Sequence, residues 1–185
     1  MISAEGAFHT SLGQRPRGGE EPKSKGLKAR SMETTMPQSL SLVIVHIIFS
    51  TKDRFSCLDP STRPRSHAYL ATVARNSECE GYRVGGTGDP VHLAVRLSRT
   101  ATIAGLVEEL KTSSSKWLKM QRPELRRFAC QRGYGAFSVS QNELEGLVTY
   151  IANQEEHHKV RTFQDEYLAL LQKYGVQYDE RYIWD

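Results

Sequence analysis

Two side chains suited to phosphoryl transfer lie four residues apart near the end of the chain. Tyr150 and Gln154 belong to the segment Tyr-Ile-Ala-Asn-Gln, and on a helix this spacing puts them on one flank, about 6 Å apart along the axis. A tyrosine hydroxyl can attack phosphorus and form a covalent phosphotyrosine, and an amide oxygen can bind a hard divalent ion. A pair of this kind alone is typical of an ordinary helix surface, so neighbouring groups must support the interpretation.

A segment earlier in the chain offers a further metal ligand. The sequence Pro-Val-His-Leu-Ala-Val contains Pro90 and His92, and residues two apart on a strand share a face, so Val91 and Leu93 point into the core instead. Imidazole is a common ligand of divalent metals. A lone strand histidine is usually structural, and proline has no side-chain donor.

A helix must carry the tyrosine and the glutamine. Asn142, followed three residues later by Glu145, resembles a capping box and predicts a helix that begins at about Glu143. At 100° per residue, His157 joins Tyr150 and Gln154 on a flank beside the apolar stripe. That stripe comprises Leu144, Leu147, Val148 and Ile151.

The remaining elements alternate in a recognisable order. Hydrophobic periodicity predicts strands over residues 40–49, 82–87, 91–97 and 131–139, and helices over 60–79, 102–120 and 163–173. His46 interrupts the first strand, and we interpret it as a core residue. The order strand, helix, strand, strand, helix, strand predicts an α+β fold, a ferredoxin-like or RRM-like antiparallel sheet with helices packed on it and a C-terminal helix.

Length and composition indicate one domain. The chain has 185 residues, 38% of them hydrophobic, which suits a single globular domain. Residues 1–35 are rich in Gly, Ser, Pro, Lys and Glu, so we expect a disordered extension there. Met36 precedes the first apolar run, and we expect translation to start there, with one domain over 36–185. The three cysteines fit neither a disulfide framework nor a zinc site.

The charge is distributed unevenly. The net charge is +4, but residues 96–132 contain nine Lys or Arg against three Glu. Such a belt can neutralise phosphates, although a solvated helix face explains it equally well. The candidate DNA-binding residues are Arg99, Lys111, Ser113, Ser114, Lys116 and Arg132. No apolar run is long enough to cross a bilayer, so we expect a cytoplasmic protein associated with the nucleoid rather than a membrane.

Five segments together resemble a known family. They are Met36–Ser41, Val45–Lys52, Leu106–Leu118, Gln131–Val139 and Tyr150–His158. In order and spacing they resemble the REP-associated branch of the single-tyrosine HUH transposases, over residues 36–185.

The resemblance implies a homodimeric enzyme that recognises imperfect hairpins in single-stranded DNA. It cleaves with a tyrosine, leaves a 5′-phosphotyrosine link and rejoins strands with the help of Mg²⁺ or Mn²⁺. Carried over by position, Tyr150 matches the nucleophile, His92 the second metal histidine and Gln154 the helix ligand.

Pro90 stands where the family's first metal histidine is expected. One explanation is a decayed or domesticated copy that binds DNA without cutting it. A second is that water replaces the ligand and leaves slow activity, and a third is that His157 substitutes. We favour reduced or absent cleavage. Proline is sterically acceptable at the start of a strand, so the fold need not suffer.

The sequence therefore leaves three candidate functions. The first is metal-dependent cleavage and joining of single-stranded DNA by Tyr150, which the retained Tyr150 and Gln154 favour. The second is a catalytically inactive module that binds DNA hairpins, which Pro90 favours. The third, RNA binding by an RRM-like sheet, lacks the expected aromatic pattern on the strands.

Overall fold

A computed structural model describes residues 39–184 of the chain. The extension predicted over residues 1–35 lies outside the described residues. No helix within the described range is both long and apolar enough to cross a membrane.

Four strands form one antiparallel sheet. They are β1 (Ile44–Phe49), β2 (Glu80–Gly86), β3 (Val91–Arg96) and β4 (Gly135–Val139), in the spatial order β2-β3-β1-β4. The helices are α1 (Arg63–Asn76), α2 (Ile103–Gln121), α3 (Leu144–Ala152), α4 (Gln154–Val160) and α5 (Phe163–Lys173). Short 3₁₀ turns occur at Lys52–Arg54, Pro123–Leu125 and Gln141–Glu143. The predicted α+β fold and its strand and helix order are confirmed.

The sheet has two buried faces with different contents. Alternate residues point to opposite sides of a strand, and one set, including Val45 and Leu93, joins the main apolar core beneath α1 and α2. The other set includes His46 and His92, both buried. Ile48 on that second face packs in a smaller apolar cluster, which includes Phe137 and Leu171.

The cap before the helix that carries the tyrosine differs from the one that the sequence predicted. The capping box is formed by Ser140 and Glu143, not by Asn142 and Glu145: the Ser140 hydroxyl donates to Glu143 Oε2 at 2.8 Å. The first turn is therefore the 3₁₀ turn Gln141–Glu143, which runs into α3. Serine holds this cap because its hydroxyl reaches the backbone and the Glu143 side chain reaches back.

Candidate active site

Two histidines on neighbouring strands pair on the second face of the sheet. His46 Nε2 lies 3.1 Å from His92 Nδ1, and the two rings stack with centroids 5.3 Å apart. In the strand register Ile48 is opposite His92, so His46 reaches it diagonally. A hydrogen bond at Nδ1 leaves His92 Nε2 free to act as a ligand atom.

Burial keeps these imidazoles neutral. Burial lowers the pKa of His46 to about 4, with a smaller contribution from the positive charge of Lys173. Burial also lowers the pKa of His92 well below its ordinary value, and His46 and His158 add to this effect. A neutral imidazole has the lone pair that metal binding requires.

Tyr150 projects from α3 over the same face. Its ring centroid is 6.1 Å from that of His92 and 6.1 Å from that of His46. The hydroxyl donates a hydrogen bond to the Glu166 carboxylate. The tyrosine thus lies over the histidine strand of its own chain.

Gln154 is buried beside the tyrosine, with only 1% of its surface exposed. Its amide nitrogen lies 3.4 Å from Glu166 Oε1, whereas its Oε1 is buried without a hydrogen-bond partner. The predicted pair, Tyr150 and Gln154, is therefore brought together with His92. An unsatisfied buried oxygen is costly unless another group binds it.

A break in the helix decides which histidine joins the cluster. Asn153 has φ −99° and ψ 18°, so α3 ends at Ala152 and α4 begins at Gln154. His157 is exposed, with its ring centroid 5.1 Å from that of Tyr150. His158 instead turns inward, with Nε2 3.5 Å from Glu166 Oε2. The structure therefore offers His158, rather than the predicted His157, as a substitute ligand.

Glu166 is the central residue that the sequence analysis missed. It lies on α5, where Thr162 caps the helix by accepting a hydrogen bond from the Asp165 amide. Burial raises the pKa of Glu166 to about 7. The sequence does carry a signal for Glu166: this acidic residue falls on the apolar helix face that contains Phe163 and Leu170, where a charged side chain is unusual.

Pro90 is buried at the entrance to β3 and contributes no donor atom. The turn before it is held by Asp89, whose carboxylate accepts hydrogen bonds from the Ser50 hydroxyl at 2.6 Å and the Thr51 amide at 2.7 Å. These bonds tie the start of β3 to the end of β1. The strand forms normally after the proline, so His92 keeps its position.

The donor atoms of the cluster suit a metal ion. One ligand atom each from His92, His158 and Glu166 lies within 4.8 Å of the other two. Nε2 of both histidines and Oε1 of Gln154 are buried without hydrogen-bond partners. Three unpaired ligand atoms around a carboxylate fit a divalent cation.

A cavity of about 450 Å³ adjoins the tyrosine between α3 and α5. Two basic residues, Arg161 and Lys173, contribute to its lining. Its other polar lining residues are His46, Asn142, Glu143, Tyr150, Glu166 and Tyr174. An anionic group entering here would meet both basic side chains and the tyrosine hydroxyl.

The structure changes the set of candidate DNA contacts on α2. The Lys111 ammonium donates to the carbonyls of Gln131, Arg132 and Gly133, at 2.8, 3.1 and 2.6 Å, which uses all three of its hydrogens. Ser114 is buried, and its hydroxyl donates to the Lys111 carbonyl at 3.2 Å. In this structure the polar groups of Lys111 and Ser114 therefore bond to backbone carbonyls, and DNA contact by these two residues stays a prediction.

The other candidates are more accessible. Lys116 and Arg132 are exposed and line a groove of about 540 Å³. Arg99 is exposed near Ser39, and Ser113 donates to the Glu109 carboxylate. Part of the basic belt is neutralised internally, since Arg96 pairs with Glu80 and Arg122 pairs with Asp59 and Glu124. DNA contact by Arg99, Ser113, Lys116 and Arg132 stays a prediction.

Comparisons with known proteins bear on the family and the fold. Residues 39–154 match the family described as "Transposase IS200 like". Among solved structures, a Deinococcus radiodurans R1 chain assigned as a candidate transposase has a TM-score of 0.52 at 22% identity, covering 64% of this chain and 98% of that one. A REP-associated tyrosine transposase bound to a REP hairpin has a TM-score of 0.50 at 13% identity, covering 69% and 74%. No curated protein matches the chain.

The two structural similarities support the fold, and the family match covers more than half of the chain. The match includes both His92 and Tyr150 and ends at Gln154. The transposase family predicted from the sequence is thus confirmed. The chain belongs to the IS200-like transposase family.

Proposed function

We propose that this transposase cleaves and rejoins single-stranded DNA at hairpin-containing ends, with Tyr150 as the nucleophile. The observation that carries the proposal is the hydrogen bond from the Tyr150 hydroxyl to the buried Glu166 carboxylate, beside His92 and Gln154. A nucleophile bonded to a potential base, next to metal-binding groups, is the arrangement that phosphoryl transfer requires.

The cleavage step exchanges one phosphodiester bond for another. The Tyr150 oxygen bonds to phosphorus and its proton passes to Glu166. The bond from phosphorus to the 3′ oxygen of the preceding nucleotide breaks, and that oxygen takes up a proton from solvent. The products are a 5′-phosphotyrosine link and a free 3′ hydroxyl. Rejoining reverses the step with a different 3′ hydroxyl, so no nucleotide energy is consumed.

The buried environment of Glu166 favours transfer of the Tyr150 hydroxyl proton to its carboxylate. Because burial raises the pKa of Glu166 to about 7, the carboxylate is a better base than an exposed glutamate. Arg161 and Lys173 line the adjoining cavity and would attract the phosphate toward the nucleophile.

Mg²⁺ or Mn²⁺ is the metal expected from the family, and His92 and Gln154 would help to hold it. Such an ion would polarise the scissile phosphate and offset charge in the transition state. The buried, unpaired His92 Nε2 and Gln154 Oε1 support this assignment.

The partner that we propose is a single-stranded DNA hairpin of the REP type or from an element's own ends. Support comes from the similar fold of the hairpin-bound transposase and from the exposed Lys116 and Arg132. A homodimer remains part of this proposal because the family resemblance implies it.

A second function is favoured by one specific observation. Pro90 occupies a buried position without a ligand atom, where the family resemblance implies a histidine. A protein with an intact fold but a weakened metal site would bind hairpins without cutting them. Such a domesticated DNA-binding protein is our alternative.

A covalent-adduct assay separates the two functions. Purified protein is incubated with labelled single-stranded hairpin oligonucleotides from its genomic flanks and Mn²⁺, and denaturing gels are examined for a protein–DNA adduct. Tyr150→Phe is the matched control because it removes one oxygen, and Pro90→His runs in parallel.

An adduct with the wild-type protein that Tyr150→Phe abolishes would establish the transposase. An adduct only with Pro90→His would identify the binding protein. Loss of both hairpin binding and adduct formation in all three proteins would refute both functions.

A further inference from the structure

We propose that Glu166 and His158 replace the histidine lost at position 90, so that His92, His158 and Glu166 form a metal site selective for transition-metal ions over Mg²⁺. The three residues come from β3, α4 and α5. This inference deepens the proposed function and rests on it for its biological role, although metal binding can be measured without DNA.

The spacing of the ligand atoms is close to that around a bound ion. His92 Nε2 lies 3.7 Å from Glu166 Oε1, and His158 Nε2 lies 3.5 Å from Glu166 Oε2. Ligands about 2.1 Å from a tetrahedral metal are about 3.4 Å from one another. These distances are to the two different carboxylate oxygens, and one ligand atom from each of the three residues lies within 4.8 Å of the other two, so side-chain adjustments of about 1 Å would allow coordination.

The neighbouring residues leave the histidine ligand atoms free and hold the His92 ring in place. Both histidine Nε2 atoms are buried without hydrogen-bond partners, so neither has a competing interaction to lose. His46 contacts His92 Nδ1 at 3.1 Å and fixes the orientation of its ring. Glu166 is nearly buried and its second role, accepting from Tyr150, places the nucleophile next to the ion.

The donor set determines which ions are preferred. A site with two imidazoles and one carboxylate suits Zn²⁺, Co²⁺, Fe²⁺ or Mn²⁺, whereas Mg²⁺ favours oxygen ligands and retains its waters. Gln154 Oε1 is available as a further oxygen ligand. The loss of one histidine therefore changes the ligands rather than removing the site.

Co²⁺ titration of the full chain, followed by visible absorption and calorimetry, tests the proposal. We expect one Co²⁺ per chain with the absorption bands of nitrogen and oxygen coordination, and Mg²⁺ should displace it only in more than about 100-fold excess. Glu166→Gln and His158→Gln should each weaken Co²⁺ binding by at least about 100-fold, more than the loss of an outer partner.

His157→Gln is the matched control because His157 is adjacent in sequence but lies outside the cluster. It should leave Co²⁺ affinity unchanged. Circular dichroism establishes that each variant is folded, and His158→Gln, at a partly exposed position, serves if Glu166→Gln does not fold.

Wild-type affinity in folded His158→Gln, or equal competition by Mg²⁺, would overturn the proposal. Equal losses in His157→Gln and His158→Gln would also overturn it, because they would place the ion at the helix surface. Co²⁺ binding without any DNA adduct would refute cleavage but leave the metal site intact, so the two failures are distinguishable.

Discussion

The Tyr150 hydroxyl donates to the carboxylate of Glu166, which approaches it from a different helix and is 7% exposed. The relationship joins α3 to α5 directly at the candidate nucleophile. It places a potential base beside the tyrosine, and it makes the position of α5 part of the candidate site.

The first prediction concerns that base. At saturating Mn²⁺, Glu166→Gln should slow formation of the covalent DNA adduct by about 100-fold or more, because an amide cannot accept the hydroxyl proton. Single-turnover adduct formation on a labelled hairpin measures the rate. Asp165→Asn, an exposed acid on the same helix, is the control. An undiminished rate in Glu166→Gln would exclude its role as the base.

The second prediction concerns the close packing of α3 against β2. A Cβ added at Gly85 would lie 2.5 Å from the Ile151 carbonyl oxygen, whereas one added at Gly81 would have nothing within 4 Å. Gly85→Ala should therefore shift α3, destabilise the fold by about 1–3 kcal/mol and reduce adduct formation.

Gly81→Ala, on the same strand, is the matched control. Its effect on the free energy of unfolding should stay within about 0.5 kcal/mol. Urea unfolding and the adduct assay measure both variants. Equal behaviour of the two alanine variants would mean that the close approach to Ile151 is unimportant.

The third prediction concerns His46 as a positioning residue. His46→Ala should lower Co²⁺ affinity by about 10–100-fold, because His92 loses the partner that orients its ring. Calorimetry measures the affinity. His67→Gln, a change at a histidine on α1, should not alter it. Unchanged metal binding in folded His46→Ala would assign His46 to packing alone.

The fourth prediction concerns pH. Burial, with the nearby charges of Arg63 and Arg83, lowers the pKa of His67 to about 4 from 6.5. The unfolded chain thus binds a proton at a higher pH than the folded chain, so stability falls as the pH drops from about 6.5 to about 4.

His67→Gln should remove about 3 kcal/mol of that loss. Urea unfolding at several pH values compares the variant with the wild type, and the difference isolates His67 from the other buried histidines. If the two stability curves stay parallel between pH 7 and 4, this histidine does not titrate as described.

The fifth prediction separates two lysines on α2. Lys116→Ala should reduce the slope of log affinity against log salt for hairpin DNA by about 1. Lys111→Met should leave that slope unchanged but destabilise the fold by about 1–2 kcal/mol, because three carbonyls lose their donor. Fluorescence anisotropy measures the salt dependence of binding, and urea unfolding measures stability. A flatter slope in Lys111→Met would instead show that Lys111 contacts DNA.

Patterns along the chain were sufficient for the fold. Alternating and helical periodicity identified all four strands and the helices around them. The Tyr150 and Gln154 pair was visible because the two residues lie only four positions apart, although the break at Asn153 places them on α3 and α4. His92 was accessible through strand alternation.

The rest of the site depends on contacts between distant segments. His46 contacts His92 only because of the register between β1 and β3. The sequence does not contain that register, so we interpreted His46 as a core residue. Glu166 lies on α5, and no local sequence pattern specifies where that helix packs. The choice of His158 over His157 follows from the bend at Asn153, which an ideal helix projection does not contain.

The two faces of the sheet have a consequence for how this protein can change over time. Val45, Ile47 and Leu93 pack in the main apolar core on one side, while His46 and His92 pair on the other. A side chain on the histidine face can therefore be replaced without a change to the contacts within that main core. Such a scaffold can accommodate the loss, exchange or return of a ligand in single steps, and β3 forms directly after Pro90 although this residue offers no ligand atom.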